Sequence, residues 1–137
     1  MSGPVGAAFC LIYAKQTGRF LMELRSNQVG NPQTWGFFGG GIEMHESPLD
    51  AIRRELREEI GIDAREFDGS MRVSRRVWIF IKIYNNEFDP KLSFESMSWR
   101  WCDELPGLRL HPKIRKNHEA IESLIVLLRR ATRRQKQ

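Results

Sequence analysis

The sequence predicts an α/β fold in which a mixed β-sheet lies between helices as a sandwich. Apolar runs rich in β-branched and aromatic residues occupy 5–14, 20–25, 71–88 and 96–105, and two segments with helical periodicity are interleaved with them. Strands interleaved with helices in this way are typical of a layered α/β domain. The 137 residues contain no repeat and no low-complexity linker, so the sequence predicts a single domain over residues 1–137.

The first two apolar runs predict a β-hairpin. Residues 5–14 and 20–25 are the strands, and the turn signal TGR at 17–19 separates them. Residues 26–36 are polar and predict a loop, with Asn31-Pro32 favouring a turn.

A helix is predicted after the glycine run Gly39–Gly41. Ser47 suits the N-cap, Pro48 the first helical position and Asp50 the third position of a capping box, while Gly61 ends the helix. Four apolar residues recur at helical spacing and predict a face packed on the core: Leu49, Ile52, Leu56 and Ile60.

The second half of the chain predicts more strands and a closing helix. Residues 71–88 form either one long strand or a broken pair, and 96–105 form a strand running into a turn. A long basic helix follows over about 112–134, with a core face formed by Ile114, Ile121, Leu124, Ile125 and Leu128.

The net charge of +5 is concentrated in the final segment, RRATRRQKQ at 129–137. This segment is either a solvated helix end, where cations suit the helix dipole, or a surface that attracts polyphosphate or RNA.

The acidic residues of the central helix contrast with this basic chain. Glu55 lies three residues before Glu58 and four before Glu59, so all three are predicted to share a side of the helix away from its apolar face. One interpretation is a solvated acidic face neutralised by neighbouring arginines. The other is a site for a hard cation such as Mg²⁺, because Glu46 precedes the helix and the glycines permit close backbone approach.

The spacing of these residues resembles the Nudix box, G-x5-E-x7-R-E-U-x-E-E-x-G-U, where U is a bulky aliphatic residue. Residues 40–62, GGIEMHESPLDAIRRELREEIGI, fill every specified position of that pattern. The proline that usually precedes the glycines is absent, and Phe38 stands there. The resemblance implies a Nudix-type α/β/α sandwich.

The resemblance also implies a reaction and the roles of the box residues. Nudix proteins typically use Mg²⁺ or Mn²⁺ to hydrolyse the diphosphate bridge of a nucleoside diphosphate linked to another moiety X. Arg54 would orient the carboxylates, and Glu46 would be a ligand or a partner just outside the ligand shell. The implied metal-binding residues are Gly40 (through its carbonyl), Glu46, Glu55, Glu58 and Glu59.

Three further site residues are expected outside the box. Glu95 precedes Trp101 by six residues, where relatives place a general base, although it could equally be a surface residue, and Glu59 is the alternative base. Arg25 is similar to an arginine that contacts phosphate in some relatives, or is an ordinary arginine at a strand end. Asn117 resembles the asparagine that reads the base in relatives that clean oxidised nucleotides, or is an ordinary polar residue at a helix N-terminus.

Several aromatic residues have two interpretations. Trp35, Phe37 and Trp78 either stack on a nucleobase or belong to the core, and no role is assigned to His45 or His118.

The expected function is therefore an Mg²⁺-dependent pyrophosphohydrolase. Its substrate is left open among nucleoside triphosphates, nucleotide sugars, dinucleoside polyphosphates and capped RNA. The alternative is a non-catalytic nucleotide- or RNA-binding Nudix module.

The sequence also predicts the cellular location of the protein and the state of its cysteines. No apolar run reaches the roughly 20 residues of a membrane span, and the N-terminus lacks the pattern of a signal peptide. Cys10 and Cys102 predict buried free thiols, as suits a reducing cytoplasm. The chain is expected to be a cytoplasmic monomer or homodimer without membrane contact.

Overall fold

The computed structural model describes residues 5–135, with side chains described as far as residue 133. Its elements in chain order are β1 (Gly6–Ala14), β2 (Arg19–Arg25), β3 (Trp35–Gly36), β4 (Phe38–Ile42), α1 (Pro48–Ile60), β5 (Gly69–Ser74), β6 (Val77–Tyr84), β7 (Ser96–Cys102), α2 (Pro112–Lys116) and α3 (His118–Gln135). The outermost residues of the predicted domain 1–137, including Lys136 and Gln137 of its basic tail, lie outside the described residues.

The strands form one mixed sheet, as predicted, with the path β3-β2-β1-β6-β5. The central pair β1–β6 is parallel, and the remaining pairs are antiparallel. Strands β4 and β2 pair in turn with the same edge of β1: Cys10 is opposite Phe38, and Ile12 is opposite Leu21. Beyond these pairs β2 and β4 diverge, and β2 continues between β3 and β7.

Two apolar clusters pack on opposite faces of the sheet, and helices cover both. On one face, alternate residues of β1 pack with Ile52, Leu56 and Ile60 of α1. On the other face, the intervening residues of β1 pack with Ile114 of α2 and the buried face of α3. This is the predicted α/β/α sandwich, and all five residues predicted for the C-terminal core face are buried.

The structure corrects three predictions of detail. Leu49, in the first turn of α1, is 41% exposed because it lines an open surface cleft with Phe67 and Phe80; Ala51, by contrast, is buried. The long C-terminal helix is two helices, since Asn117 ends α2 with a non-helical ψ of 21° and its side-chain amide donates to the Lys113 carbonyl. The predicted loop at 26–36 ends in strand β3, and the glycine run lies inside strand β4.

The ambiguity over residues 71–88 is resolved in favour of a broken pair. Strands β5 and β6 pair antiparallel around a tight turn at Arg75 and Arg76.

The fold tests the prediction made for the two cysteines. Cys10 and Cys102 are both buried free thiols, which confirms the prediction. Among the helices described, none is long and apolar enough to cross a membrane.

A buried histidine lies beside strand β3. His111 is 4% exposed, its ring meets Phe9 edge-on at 5.6 Å, and its Nδ1 accepts the Lys113 N–H at 3.1 Å. Burial, and then the positive charge of Arg25, lower the pKa of His111 to about 4, so its ring is neutral in the folded protein near pH 7.

Candidate active site

Helix α1 begins and ends where local chemistry dictates. Ser47 Oγ accepts the Asp50 N–H at 3.0 Å, and the Asp50 carboxylate accepts the Ser47 N–H at 3.4 Å, which completes a capping box. Gly61 adopts the left-handed conformation with φ 66° and closes the C-terminus. The caps set the ends of α1, and the packing of Ile52, Leu56 and Ile60 on the sheet sets its rotation, which brings Glu59 to Gly39 of β4.

Three carboxylates converge at one point. Oxygens of Glu55, Glu59 and Glu95 all lie within 4.8 Å of one another. Glu55 and Glu59 are one helical turn apart, whereas Glu95 comes from the segment before β7, so only the folded chain brings them together.

Glu59 is the most deeply placed of the three. It is 1% exposed, and its Oε1 accepts the Gly39 N–H at 2.7 Å. This contradicts the prediction that all three helix glutamates avoid the core-facing side of α1. Burial, and then the charge of Glu23, raise the pKa of Glu59 well above its ordinary value.

The glycine run makes this arrangement possible. Gly39 has φ 142°, and a Cβ placed there would lie 2.2 Å from the Ala8 carbonyl oxygen. A Cβ on Gly40 would lie 2.7 Å from Glu55 Oε1. Strand β4 therefore offers bare backbone to the carboxylates of Glu55 and Glu59.

Arg54 organises the entrance side of the site. Its Nε and one terminal nitrogen donate to the two oxygens of Glu46 at 2.6 and 3.0 Å, and that terminal nitrogen also donates to the Gly41 carbonyl at 3.0 Å. Its other terminal nitrogen donates to Glu55 Oε1 at 3.0 Å. The hydrogen bond from Arg54 lowers the pKa of Glu46, while burial raises that of Glu55.

Glu46 and Glu58 lie apart from the three converging carboxylates. Both oxygens of Glu46 are bonded to Arg54, which is the arrangement of an outer partner rather than a direct ligand. The Glu58 side chain is 53% exposed and lies 3.4 Å from Arg54. The predicted ligand roles of Glu46, Glu58 and the Gly40 carbonyl stay predictions.

Backbone hydrogen bonds position Glu95. The Ser26 N–H donates to the Glu95 carbonyl at 2.9 Å, and the Ser93 N–H donates to the Glu59 carbonyl at 3.0 Å. The Glu95 N–H donates to Ser93 Oγ at 3.2 Å. The segment before β7 is thus held against both α1 and the end of β2.

Sequence reasoning missed one acidic residue of the site, Glu23. This residue of β2 is fully buried, it accepts a short hydrogen bond from the Ser96 hydroxyl, and its carboxylate lies within hydrogen-bonding reach of Glu59. Burial is the main cause that raises its pKa to about 7. The available signal was a single acidic residue in the apolar strand FLMELR.

The remaining predicted residues have varied surroundings. Arg25 donates to the Gly30 carbonyl at 2.7 Å and is close enough for its charge to act on Glu23. The guanidinium of Arg100 lies over the Trp35 ring at 4.9 Å. The described contacts of Asn117 are with α2 and α3, so its role as a base reader stays a prediction.

The other two aromatic candidates are separated by burial. Phe37 is fully buried and packs edge-on against Phe20, so it belongs to the core. Trp78 is half-buried under the guanidinium of Arg72, 4.8 Å from the ring centroid.

The donor set suits a hard divalent cation. All the converging groups are carboxylate oxygens, which Mg²⁺ and Mn²⁺ prefer, and no histidine or thiol joins the cluster in the described part of the chain. A buried oxygen of Glu23 without any hydrogen-bond donor among the described residues adds an unmet demand for positive charge.

Comparison with known proteins agrees with this fold. This chain belongs to the class of α/β/α hydrolases that act on phosphorus-containing acid anhydrides. The family model described as NUDIX domain matches residues 3–124, and the chain belongs to the Nudix family.

Individual relatives share limited sequence identity with this chain. An RNA pyrophosphohydrolase of Rhizobium meliloti is 28% identical over 134 residues, covering 76% of this chain and 80% of that protein. An RNA pyrophosphohydrolase of Halorhodospira halophila is 42% identical over 52 residues, which cover 38% of this chain and only 26% of the relative. The crystal structure of RenU, a Nudix hydrolase of M. smegmatis, superposes with a TM-score of 0.77 at 21% identity and covers 91% of this chain and 88% of that one.

Proposed function

We propose that this chain is an Mg²⁺-dependent pyrophosphohydrolase that cleaves the diphosphate bridge of a nucleoside diphosphate derivative. The observation that carries the proposal is the convergence of Glu55, Glu59 and Glu95 within 4.8 Å, beside a glycine strand that leaves backbone accessible. A diphosphate bridge is anionic and resists a nucleophile, so a site for its hydrolysis needs positive charge and an activated water. When bound, Mg²⁺ supplies both, by neutralising the bridge and lowering the pKa of water.

The protein residues divide the remaining work. Glu59, buried and held by the Gly39 N–H, serves as a rigid ligand together with Glu55. Arg54 fixes the direction of Glu55 and is itself fixed by Glu46. Glu95 is only half-buried, so it is accessible to water and is our candidate for the group that accepts the proton of the attacking water.

As the particular substrate we propose RNA with a 5′-terminal diphosphate bridge. The names of the two curated relatives support this choice, and so does the net charge of +5. In RNA a phosphoanhydride exists only at the 5′ end, so an RNA pyrophosphohydrolase must act there.

A basic cleft of about 230 Å³ could contact the body of such an RNA. Lys15, Arg129 and Arg133 line it at the end of the first hairpin. Deleting 129–137 is a poor test, because Arg129 donates to the Gly18 carbonyl and Thr132 bonds to Tyr13, so the deletion would damage the fold. Lys15→Gln with Arg133→Gln removes charge alone and should weaken the salt dependence of RNA binding.

The deciding experiment is a substrate panel with Mg²⁺, with products identified by mass. The panel contains 5′-triphosphorylated RNA, nucleoside triphosphates, ADP-ribose and a dinucleoside polyphosphate, each with and without excess EDTA. We expect hydrolysis that EDTA abolishes and Mg²⁺ or Mn²⁺ restores, with the highest kcat/KM on the RNA. Full activity in EDTA would refute the mechanism, and preference for another substrate would refute only the choice of RNA.

Cytoplasmic location and a monomeric or homodimeric state also stay proposals. Light scattering on the purified chain checks the second.

A further inference from the structure

Each carboxylate placed deepest in this site has one oxygen bonded to the protein. Glu59 Oε1 accepts the Gly39 N–H, and Glu55 Oε1 accepts from Arg54. Metal-ligating carboxylates commonly have this form, in which a hydrogen bond to one oxygen orients the group and the other oxygen is left for the ion.

Glu23 has the same form, although it lies outside the glycine-rich and helical segment. Its Oε1 accepts the hydroxyl proton of Ser96. Its Oε2 is buried and has no hydrogen-bond donor in the described part of the chain. Glu23 is also fully buried as a residue, so water does not compensate for the missing partner.

Glu23 lies beside Glu59, the most deeply buried member of the carboxylate cluster. It lies on β2 just past the point where β2 and β4 diverge, and its carboxylate reaches that of Glu59, while Glu95 is close enough to act on it electrostatically. Arg25 is the cation whose charge acts on Glu23, but its Nε is bonded to the Gly30 carbonyl. A buried carboxylate beside two others is stable as an anion only if a cation lies among them.

We propose that Glu23 is a further metal ligand of this site, binding through Oε2 a divalent cation that it shares with Glu59. Ser96 is its positioning residue, because its hydroxyl bonds Oε1 and leaves Oε2 without a donor among the described residues. The proposal rests on the proposed function and extends the ligand set to β2, a strand that belongs to the opening hairpin.

The test is Mn²⁺ binding, measured by electron paramagnetic resonance as free ion and by calorimetry as stoichiometry and Kd. Glu23→Gln keeps an oxygen for the Ser96 hydroxyl but removes the charge. We expect it to lose one bound Mn²⁺ or to weaken the affected Kd by about 10- to 100-fold. Without metal, the melting temperature of Glu23→Gln should equal or exceed that of wild type, and Mn²⁺ should raise it less.

The matched control is Glu104→Gln, which removes one carboxylate from an exposed residue. It should bind Mn²⁺ as wild type does. If Glu23→Gln binds the same number of ions with a Kd within twofold of wild type, the proposal is overturned. If Glu23→Gln does not fold, Glu23→Asp retains the charge on a shorter side chain, and unchanged Mn²⁺ binding by that variant overturns the proposal equally.

The wild-type protein separates this proposal from the proposed function. Absence of Mn²⁺-dependent hydrolysis by wild type would refute the function. Normal hydrolysis by wild type, together with unchanged Mn²⁺ binding by the Glu23 variants, would refute only the role of Glu23.

Discussion

Replacing Arg54 with methionine should destabilise the metal-free protein far more than replacing the neighbouring Arg57. Arg54 is 24% exposed, and its side chain bonds Glu46 through two nitrogens and Glu55 through a third, with those carboxylates only 15% and 12% exposed. Arg54→Met therefore leaves two largely buried carboxylates without their cation. Arg57 is 61% exposed and lies 3.5 Å from an Asp63 that is 62% exposed.

The magnitude follows from the burial of the pairs. Hydrogen bonds to charged groups contribute about 1.5–3 kcal/mol each, and removing one partner of a buried ion pair costs about 3–5 kcal/mol. Because Arg54 is partly exposed, we expect the free energy of unfolding to fall by about 2–4 kcal/mol. Exposed pairs contribute about 0–1 kcal/mol, which is the expectation for Arg57→Met.

The assay is urea unfolding in EDTA, followed by far-ultraviolet circular dichroism. A double-mutant cycle of Arg54→Met with Glu46→Gln should give a coupling energy of about 1–3 kcal/mol. A coupling energy near zero, with equal effects at Arg54 and Arg57, would refute the conclusion that Arg54 organises the site.

Four other predictions follow from the same structure. Glu95→Gln should lower kcat by about 10²-fold with little change in KM in steady-state kinetics, and a wild-type kcat would transfer the role of base to Glu59. Glu58→Gln should change the metal-free free energy of unfolding by only a few tenths of a kcal/mol, because the Glu58 side chain is exposed. If Glu58 binds metal, the same change should lower kcat by several orders of magnitude, and an unchanged kcat would remove Glu58 from the ligand set. Gly39→Ala should cost about 3 kcal/mol or more in urea unfolding, because its φ is 142° and the new Cβ would meet the Ala8 carbonyl oxygen; a melting temperature equal to that of wild type would contradict this. The pKa of His111 is lowered from 6.5 to about 4 on folding, so the unfolded chain binds the proton first as pH falls. The free energy of unfolding should therefore decrease by up to about 3 kcal/mol between pH 6.5 and pH 4. His111→Phe should flatten this part of the urea midpoint–pH curve, and an unchanged curve would contradict the assignment.

The sequence predicted best those features that depend on near neighbours along the chain. The capping box joins Ser47 to Asp50, three residues away, and Gly61 closes the helix by its own conformation. The spacing of the box likewise located Glu55 and Glu59, since a helix converts sequence separation directly into direction.

Features that depend on strand pairing or on burial were not predictable in the same way. Glu23 approaches Glu59 only because the pairing of β1 with β2 ends at Leu21, beyond which β4 pairs with that edge of β1, and no local pattern encodes that approach. The break at Asn117 was missed because apolar periodicity continues across it without glycine or proline. The exposure of Leu49 was missed because periodicity gives the direction of a helical side chain but not whether a neighbouring segment covers it.

The hydrogen bonds that hold Glu95 in place do not involve the side chains of Phe94 and Met97. Phe94 precedes Glu95 and Met97 follows it by two residues, and they are 66% and 51% exposed. The bonds that hold the segment involve the Ser26 N–H, the Ser93 N–H and the Ser93 hydroxyl. Both exposed residues can therefore be randomised in a library without moving Glu95. This short segment is therefore suited to engineering which substrates the enzyme binds, while its catalytic residues stay unchanged.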